Sequence, residues 1–256
     1  MTVPLFSARA DLSEIARFPG ALDPAVFIRD FASSCSQDQA AALVSRLPAN
    51  YQLYLPQKYQ REQGAFHGDY APVVASHLRD HGGDDEACDL IAREIGEALS
   101  LFAELSGETA PLASLRVVTE DYLRREFPSV SEKYHRDSTA LTITKCFFGD
   151  SIVYTDEANI RRDFFAGASI APDDALAVFD TGIEHEVPDD TWVLLKGEMW
   201  QGIDSRSQEL FDYVLGKGAS FKDVFKGAGF IHKGGYFRRA PRRLVFTASS
   251  WNTHAF

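Results

Sequence analysis

The stretch YHRDSTALTITKCFF, residues 134–148, decides the fold because it joins a histidine and a carboxylate to the longest predicted strand. From Ala140 to Phe148 the residues are rich in β-branched and aromatic side chains, which favour an extended backbone. His135 and Asp137 stand two residues apart just before that strand. In an extended backbone, residues i and i+2 project to the same side. Both side chains can therefore reach one metal ion.

The second half of the chain has the composition of a series of short strands. Short runs rich in Val, Ile, Thr and aromatic residues alternate with clusters of Gly, Pro and Asp, which is typical of strands and turns. The strand candidates are Leu115–Thr119, Ala140–Phe148, Ser151–Tyr154, Ala175–Phe179, Trp192–Lys196 and Arg243–Ala248. Gly149-Asp150, between two of them, predicts a tight hairpin turn. A series of short strands such as this favours a β-sandwich or a jelly-roll barrel.

The N-terminal half has the pattern of helices. Ser36 and Gln39 form a capping-box pair ahead of an apolar stripe. Asp84 or Asp85 can cap a second helix, which Gly107 ends. The sequence therefore predicts an α+β fold, with a jelly-roll core and an N-terminal helical layer.

We expect one domain over residues 1–256. Within it, residues 1–110 form a mainly helical N-terminal elaboration, and residues 111–256 form the jelly-roll core. The chain is long enough to bury a sizeable core without disulfides or a structural metal. The cysteines Cys35, Cys88 and Cys146 fit neither a disulfide framework nor a metal motif, so we expect them to be buried.

Charge and composition exclude several classes of function. The chain carries 26 Lys and Arg against 37 Asp and Glu, for a net charge of −11. Phosphate contact requires surplus positive charge, so a nucleic-acid partner is not expected. The N-terminus lacks the pattern of a secretory signal, and no window is long and apolar enough to span a membrane. We therefore predict a cytoplasmic protein without a membrane partner; the oligomeric state is left open.

The positive charge is concentrated at one end of the chain. Val224–Phe256 contains no Asp or Glu. Its basic residues are Lys226, Lys233, Arg238, Arg239, Arg242 and Arg243. A surface patch would explain this stretch, but Arg242 and Arg243 begin the last strand candidate shortly after His232. We interpret the stretch, in part, as an internal site for an anion.

A second histidine, His232, completes a possible ligand set with His135 and Asp137. Two His and one carboxylate on one side of an ion leave other positions open, as in non-haem Fe(II) oxygenases. The planar fork of an arginine such as Arg242 or Arg243 matches a carboxylate bidentately. That geometry suits the distal carboxylate of 2-oxoglutarate.

The order His135-x-Asp137, His232, then Arg242 or Arg243, resembles the signature of the Fe(II)/2-oxoglutarate-dependent dioxygenases. Blocks of sequence also resemble an uncharacterised bacterial family of small proteins. These blocks are residues 134–160, 192–202, 229–235 and 242–251. The resemblance implies a double-stranded β-helix (jelly roll), with His135, Asp137 and His232 as catalytic ligands of Fe(II). The arginine would bind the cosubstrate 2-oxoglutarate.

The resemblance also limits the reaction. Related halogenases replace the ligand carboxylate by a small residue, whereas Asp137 is retained here. Hydroxylation, or desaturation, of a small molecule or an amino-acid-like substrate is therefore expected. The alternatives from other classes are a non-catalytic cupin-like binding protein and, further off, a metal-dependent hydrolase that uses Zn(II).

The choice between the two arginines depends on which face of the last strand points inward. Arg243 shares a face with Val245 and Thr247, whereas Arg242 shares the other face with the bulkier Phe246. The smaller and more polar face better suits a cofactor chamber. The sequence therefore favours Arg243 and leaves Arg242 open.

Several other residues compete for a role. His185, in an acidic turn, is a rival for the distal ligand. His67 and Asp69 repeat the His-x-Asp spacing in a segment that we interpret as a surface loop, with a contribution to an active-site lid as the alternative. Lys145 interrupts an apolar strand face, where it either assists an anion in the barrel or reaches solvent at the strand end. Arg116 lies on a strand face that meets substrate if it points inward.

Overall fold

The computed structural model describes residues 3–18, 23–55, 70–107, 111–126, 132–137, 139–168, 170–197 and 229–250. The strands are β1 Leu5–Ser7, β2 Ala25–Arg29, β3 Gln52–Leu55, β4 Leu112–Val118, β5 Leu141–Phe148, β6 Val153–Tyr154, β7 His185–Glu186, β8 Trp192–Lys196, β9 His232–Lys233 and β10 Arg243–Ser250. The helices are α1 Leu12–Ile15, α2 Gln37–Arg46, α3 Ala71–Asp80, α4 Asp85–Ser106, α5 Glu120–Glu126, α6 Arg162–Gly167 and α7 Asp174–Ala177, with a 3₁₀ turn at Glu157–Asn159.

The strands form two sheets. The larger sheet has the order β1-β2-β8-β5-β10-β4-β3, and the smaller has the order β7-β6-β9. His135 adds a bridge to the β9 edge of the smaller sheet. From β4 onward the chain passes back and forth between the sheets, and every pairing among these strands is antiparallel. This alternation is the topology of a jelly roll, so the predicted α+β fold with a jelly-roll core is confirmed.

Strand β5 lies at the centre of the larger sheet and is buried on both faces. Its apolar face, which includes Ile143 and Phe147, belongs to the main hydrophobic core. Helices α2 and α4 pack against this face of β5 and β10. The opposite face carries Thr142 and Thr144, which are also buried. The larger sheet therefore separates a helical layer from the interior of the jelly roll.

The predicted caps of the helical layer are confirmed. The Gln39 N–H donates to Ser36 Oγ at 3.3 Å, and the Ser36 N–H donates back to Gln39 Oε1 at 3.0 Å. Of the two candidates, Asp84 is the N-cap of α4, because Asp84 Oδ1 accepts from the Ala87 N–H at 2.9 Å. Gly107 ends that helix with φ near +60°, in the left-handed region that favours glycine.

The N-terminal half also supplies strands that the sequence analysis did not predict. Strand β2 pairs with β8, and β1 extends the sheet beyond β2. Strand β3 pairs with β4 at the other edge. Strands β1–β3 have three to five residues each, and β2 is buried along most of its length. Runs this short carry too little alternation to be distinguished from irregular structure.

Two predictions for the C-terminal half, a strand and a hairpin turn, are wrong. Residues 175–177 of the strand candidate Ala175–Phe179 belong to helix α7, because Asp173 Oδ1 accepts from the Ala175 N–H at 2.9 Å and caps a helical turn. Gly149 does not make a hairpin, since β5 and β6 lie in different sheets. Its φ of +89° instead turns the chain from the larger sheet to the smaller one.

Lys145 points into the helical layer and neither faces the barrel interior nor reaches solvent. Its side chain is 1% exposed, and Lys145 Nζ lies 2.5 Å from Glu94 Oε1 on α4. Trp192 Nε1 donates to the same oxygen at 2.9 Å. Burial raises the pKa of Glu94, and the charge of Lys145 opposes that rise. Both interpretations of Lys145 from the sequence are therefore wrong. The residue forms an ion pair that connects β5 to α4 on the helical side of the sheet.

Other expectations can be compared directly with the structure. Cys35, Cys88 and Cys146 are buried, and no disulfide joins any two of them. Within the described segments, no helix combines the length and the apolar character that crossing a membrane requires. The division of the chain near residue 110 stays a prediction.

Replacing Lys145 by Met should lower the free energy of unfolding by about 3–5 kcal/mol, because Glu94 would remain buried without its cation. The double variant Glu94→Gln/Lys145→Met should recover most of that loss, since Gln still accepts from Trp192 and no charge is left. Denaturant unfolding measures both values. Equal destabilisation of the single and double variants would contradict a role for the buried charge.

Candidate metal centre

Three side chains converge at one point in the interior. The ligand atoms of His135, Asp137 and His232 all lie within 4.8 Å of one another. Asp137 Oδ1 is 3.7 Å from Nε2 of each histidine. These separations leave room for a cation among the three atoms. In the described part of the chain, no other group of three His, Cys, Asp or Glu side chains meets this condition.

Backbone pairing brings the two histidines together. The His135 N–H donates to the His232 carbonyl at 2.8 Å, and the His232 N–H donates back to the His135 carbonyl at 2.9 Å. His232 is held from its other side by the register of β9 with Tyr154 on β6. The imidazole ring centroids are 4.5 Å apart. The smaller sheet thus places a distant residue beside the His-x-Asp segment.

Both imidazole rings are oriented by backbone carbonyls. His135 Nδ1 lies 2.8 Å from the Lys133 carbonyl, and His232 Nδ1 lies 3.2 Å from the Phe230 carbonyl. A carbonyl only accepts, so each Nδ1 carries a proton, and each Nε2, which faces Asp137, is the nitrogen that can bind a metal. This outer hydrogen bond is typical of histidines that bind metals.

Burial of the site favours the ligating form of His135. His135 is 7% exposed and His232 is 6% exposed. Burial, with the neighbouring His232 adding to it, lowers the pKa of His135 to about 4. The His135 imidazole is therefore neutral near pH 7, which is the state that binds a metal.

A close approach of two segments fixes the position of Asp137. Gly197 follows β8, and a Cβ there would lie 2.8 Å from the Asp137 carbonyl and 2.1 Å from the Thr139 carbonyl. Any side chain at this position would push the Asp137 segment away. A glycine directly after a buried strand is a weak sequence signal for such an approach, and the sequence analysis did not use it.

The three side chains open onto a cavity of about 250 Å³. The triad lies on the wall formed by the smaller sheet, and the larger sheet forms the opposite wall. The remaining lining residues are Arg116, Val118, Tyr122, Leu123, Thr142, Thr144, Ile152, Gly234, Arg243, Val245 and Thr247. The sequence analysis missed Thr142 and Thr144, although their alternation with apolar neighbours in β5 is the signal that marks an inward polar face.

Arg243 and Arg242 point in opposite directions. Arg243 lines the cavity with Val245 and Thr247, as the alternation of the last strand indicates. Its Nη1 donates to the Gly235 carbonyl at 3.2 Å, and its buried Nε has no hydrogen-bond partner. Arg242 instead donates to the Leu47 carbonyl at 3.0 Å in the helical layer.

The rival histidines are not part of this group. His185 is exposed on β7, with Nε2 3.3 Å from Asp156 Oδ2. It does not join His135 and Asp137. His67 and Asp69 lie outside the described residues.

Most of the described basic residues in the C-terminal stretch contact other parts of the protein and do not line the cavity. Lys233 Nζ lies 2.7 Å from Asp174 Oδ2 and also contacts Glu184. Arg239 Nη1 lies 2.9 Å from Asp189 Oδ1. Among the basic residues that the structure describes between 229 and 250, Arg243 alone lines the cavity with the triad. Arg243 thus faces the interior, whereas Lys233 and Arg239 pair with acidic residues.

Comparison with known proteins finds solved structures that are similar at low sequence identity. The sequence matches no protein-family model and no curated protein. One solved structure similar to the chain is a dioxygenase for auxin oxidation from rice, with 12% identity, a TM-score of 0.43, and coverage of 97% of this chain and 83% of that one.

Two further structures are similar at the same level. The auxin-oxidising dioxygenase 1 of Arabidopsis thaliana, in complex with 2-oxoglutarate, has 12% identity, a TM-score of 0.46, and coverage of 98% and 93%. A full-length Neurospora crassa protein, in complex with 2-oxoglutarate and 5-formyluracil, has 12% identity, a TM-score of 0.41, and coverage of 98% and 84%. Similarity at this level assigns no function to the present chain.

Removing one donor of the triad should weaken metal binding. We expect His135→Ala to lower the affinity for Mn(II) at pH 7 by about 100-fold, because the loss of a ligand costs at least as much as the loss of its outer hydrogen bond. Isothermal titration calorimetry measures the change. The matched control is His185→Ala, which removes an exposed histidine outside the triad. An equal effect of the two substitutions would contradict this metal site.

Proposed function

We propose that the protein is a non-haem Fe(II)/2-oxoglutarate-dependent dioxygenase that hydroxylates a small molecule. The observation that carries the proposal is the placement of two imidazoles and one carboxylate on one wall of a cavity that also contains Arg243. A set of two histidines and one carboxylate leaves several metal positions open for other ligands, which is the requirement of this chemistry.

The residues fit both groups that the proposal requires. His135, Asp137 and His232 offer nitrogen and oxygen donors without a thiolate, a set that suits Fe(II). The buried Nε of Arg243 lacks an acceptor. An unsatisfied buried donor is costly, and the distal carboxylate of 2-oxoglutarate would satisfy it. When bound, Fe(II) and 2-oxoglutarate supply the oxidising chemistry with O₂.

The chain's own contribution is binding and orientation. The carbonyls of Lys133 and Phe230 hold the imidazole rings with Nε2 toward the metal position. Arg243 fixes the far end of the cosubstrate, and the hydroxyls of Thr142 and Thr144 line the opposite wall. Because Asp137 occupies the third protein position, we propose hydroxylation or desaturation and not halogenation.

The alternatives use the same donors differently. His135, Asp137 and His232 would also suit Zn(II) in a hydrolase, which would act without oxygen. A cupin-like binding protein would hold a metal without turnover. Arg243 favours the oxygenase, since neither alternative requires a buried guanidinium across from the metal. A small-molecule substrate and a cytoplasmic location, without nucleic-acid or membrane partners, remain the expectations from the sequence.

Arg243→Met should raise the KM for 2-oxoglutarate by about 10- to 100-fold, because a charge-assisted hydrogen bond to the cosubstrate is lost. Arg242→Met, which changes the same charge on the other strand face, should leave this KM unchanged. Release of succinate from 2-oxoglutarate in air measures both. If Arg242→Met raised the KM and Arg243→Met did not, the assignment of Arg243 would be wrong.

Asp137→Ala should abolish succinate release, because the ion loses its only carboxylate ligand from the triad. The charge-transfer band expected when Fe(II) and 2-oxoglutarate are added without oxygen should disappear in the same variant. Undiminished succinate release by Asp137→Ala would refute the oxygenase proposal. Turnover of a substrate with Zn(II) in the absence of oxygen would favour the hydrolase.

A further inference from the structure

A second arginine reaches the cavity from strand β4. Arg116 lies opposite Val245 in the register of β4 with β10, and both residues line the cavity. Arg243 is opposite Val118 in the same register. The two guanidinium groups therefore enter from neighbouring strands. Arg116 lies two residues before Val118, which is the β4 residue paired with Arg243.

Arg116 has no anionic partner among the described residues. Its Nη1 donates to Ser114 Oγ at 3.2 Å. Among the described residues, neither Arg116 nor Arg243 forms an ion pair with a carboxylate; Asp137 lies closest to the two histidines, and its charge is one of the smaller contributions to the pKa of Arg116. Burial lowers the pKa of Arg116, with the charge of Arg243 among the smaller contributions. Positive charge thus accumulates in the cavity, although its solvation by water is reduced.

The charges of the loaded site leave one positive charge unmatched. Asp137 is the only carboxylate among the residues that the structure describes in the cavity lining. A divalent metal and the dianion of 2-oxoglutarate compensate each other. Asp137 then offsets one of the two guanidinium groups. One positive charge remains, and a monoanion would match it.

The Arg116 side chain is directed away from Arg243 along β4. Its hydrogen bond runs to Ser114, which is paired with Thr247 on β10. Along β4, this direction leads away from Val118 and hence from Arg243. The Nη1 atom of Arg116 is thus directed toward the Ser114–Thr247 pair and away from the pair that contains Arg243.

We propose that Arg116 binds the carboxylate of a small organic acid, which is the primary substrate. This inference rests on the proposed function and names its substrate class. A guanidinium fork matches a planar carboxylate, and a single unmatched charge favours a monoanion over a phosphate dianion. Val245, which is paired with Arg116, offers an apolar contact, and Thr247, which is paired with Ser114, offers a hydroxyl. These neighbours suit an acid with a compact apolar body.

The test is calorimetric titration of protein loaded with Zn(II) and 2-oxoglutarate, which bind without turnover. The probes are acetate, benzoate and phenylacetate, each paired with its primary amide. We expect at least one acid to bind, with its amide at least about tenfold weaker. Arg116→Met should weaken that acid by about 10- to 100-fold, because the lost hydrogen bonds are charge-assisted. Arg116→Lys should keep part of the affinity.

The controls separate this role from charge, folding and cosubstrate binding. Arg238→Met changes the same charge at an exposed position and should bind the acid as the parent does. Arg116→Met should bind 2-oxoglutarate with an affinity within about threefold of the parent, since Arg243 holds the cosubstrate. Its thermal unfolding shows whether the fold is kept.

Three results would overturn the proposal: no acid binds the parent, acids and amides bind equally, or Arg116→Met loses 2-oxoglutarate affinity as strongly as acid affinity. Failure of the proposed function has a different signature. In that case 2-oxoglutarate does not bind to the metal-loaded protein. An acid preference that depends on Arg116 would then still appear in titrations of the metal-free protein.

Discussion

The register of β4, β5 and β10 is the constraint on which the rest of the structure depends. Side chains on a strand alternate between faces, so a slip of one residue would exchange Arg243 for Arg242 and Thr144 for Lys145. The register is held because both faces are buried. On one face, apolar residues and the Glu94–Lys145 ion pair meet the helical layer. On the other, threonines and arginines line the cavity.

The smaller sheet brings residues that are distant in the sequence to one point. It consists of two-residue strands, yet the reciprocal backbone hydrogen bonds between His135 and His232 join the His-x-Asp segment to the distal histidine. The carbonyls of Lys133 and Phe230 then orient both rings. Because both imidazole rings are already oriented, the site requires little rearrangement to accept an ion.

Much of this arrangement was predictable from local sequence patterns. The strands β5, β8 and β10 and the caps at Ser36 and Asp84 follow from alternation and from side-chain hydrogen bonds within a few residues. The orientation of Arg243 follows from the same alternation. These features depend on neighbours along the chain, which a sequence displays directly.

The features that were missed depend on contacts between distant residues. Lys145 is buried because Glu94 is its partner, and nothing near Lys145 in the sequence indicates that helix. Likewise, β2 is a strand because β8 provides its hydrogen-bond partners.

The most direct test of the account is a crystal structure grown without oxygen in the presence of Fe(II) and 2-oxoglutarate, with anomalous diffraction recorded at the iron edge. The account predicts one iron peak at coordination distance from Nε2 of His135, Nε2 of His232 and a carboxylate oxygen of Asp137. It also predicts the distal carboxylate of 2-oxoglutarate on Arg243. An iron peak away from these three side chains, or 2-oxoglutarate held by Arg116 with Arg243 uninvolved, would contradict it.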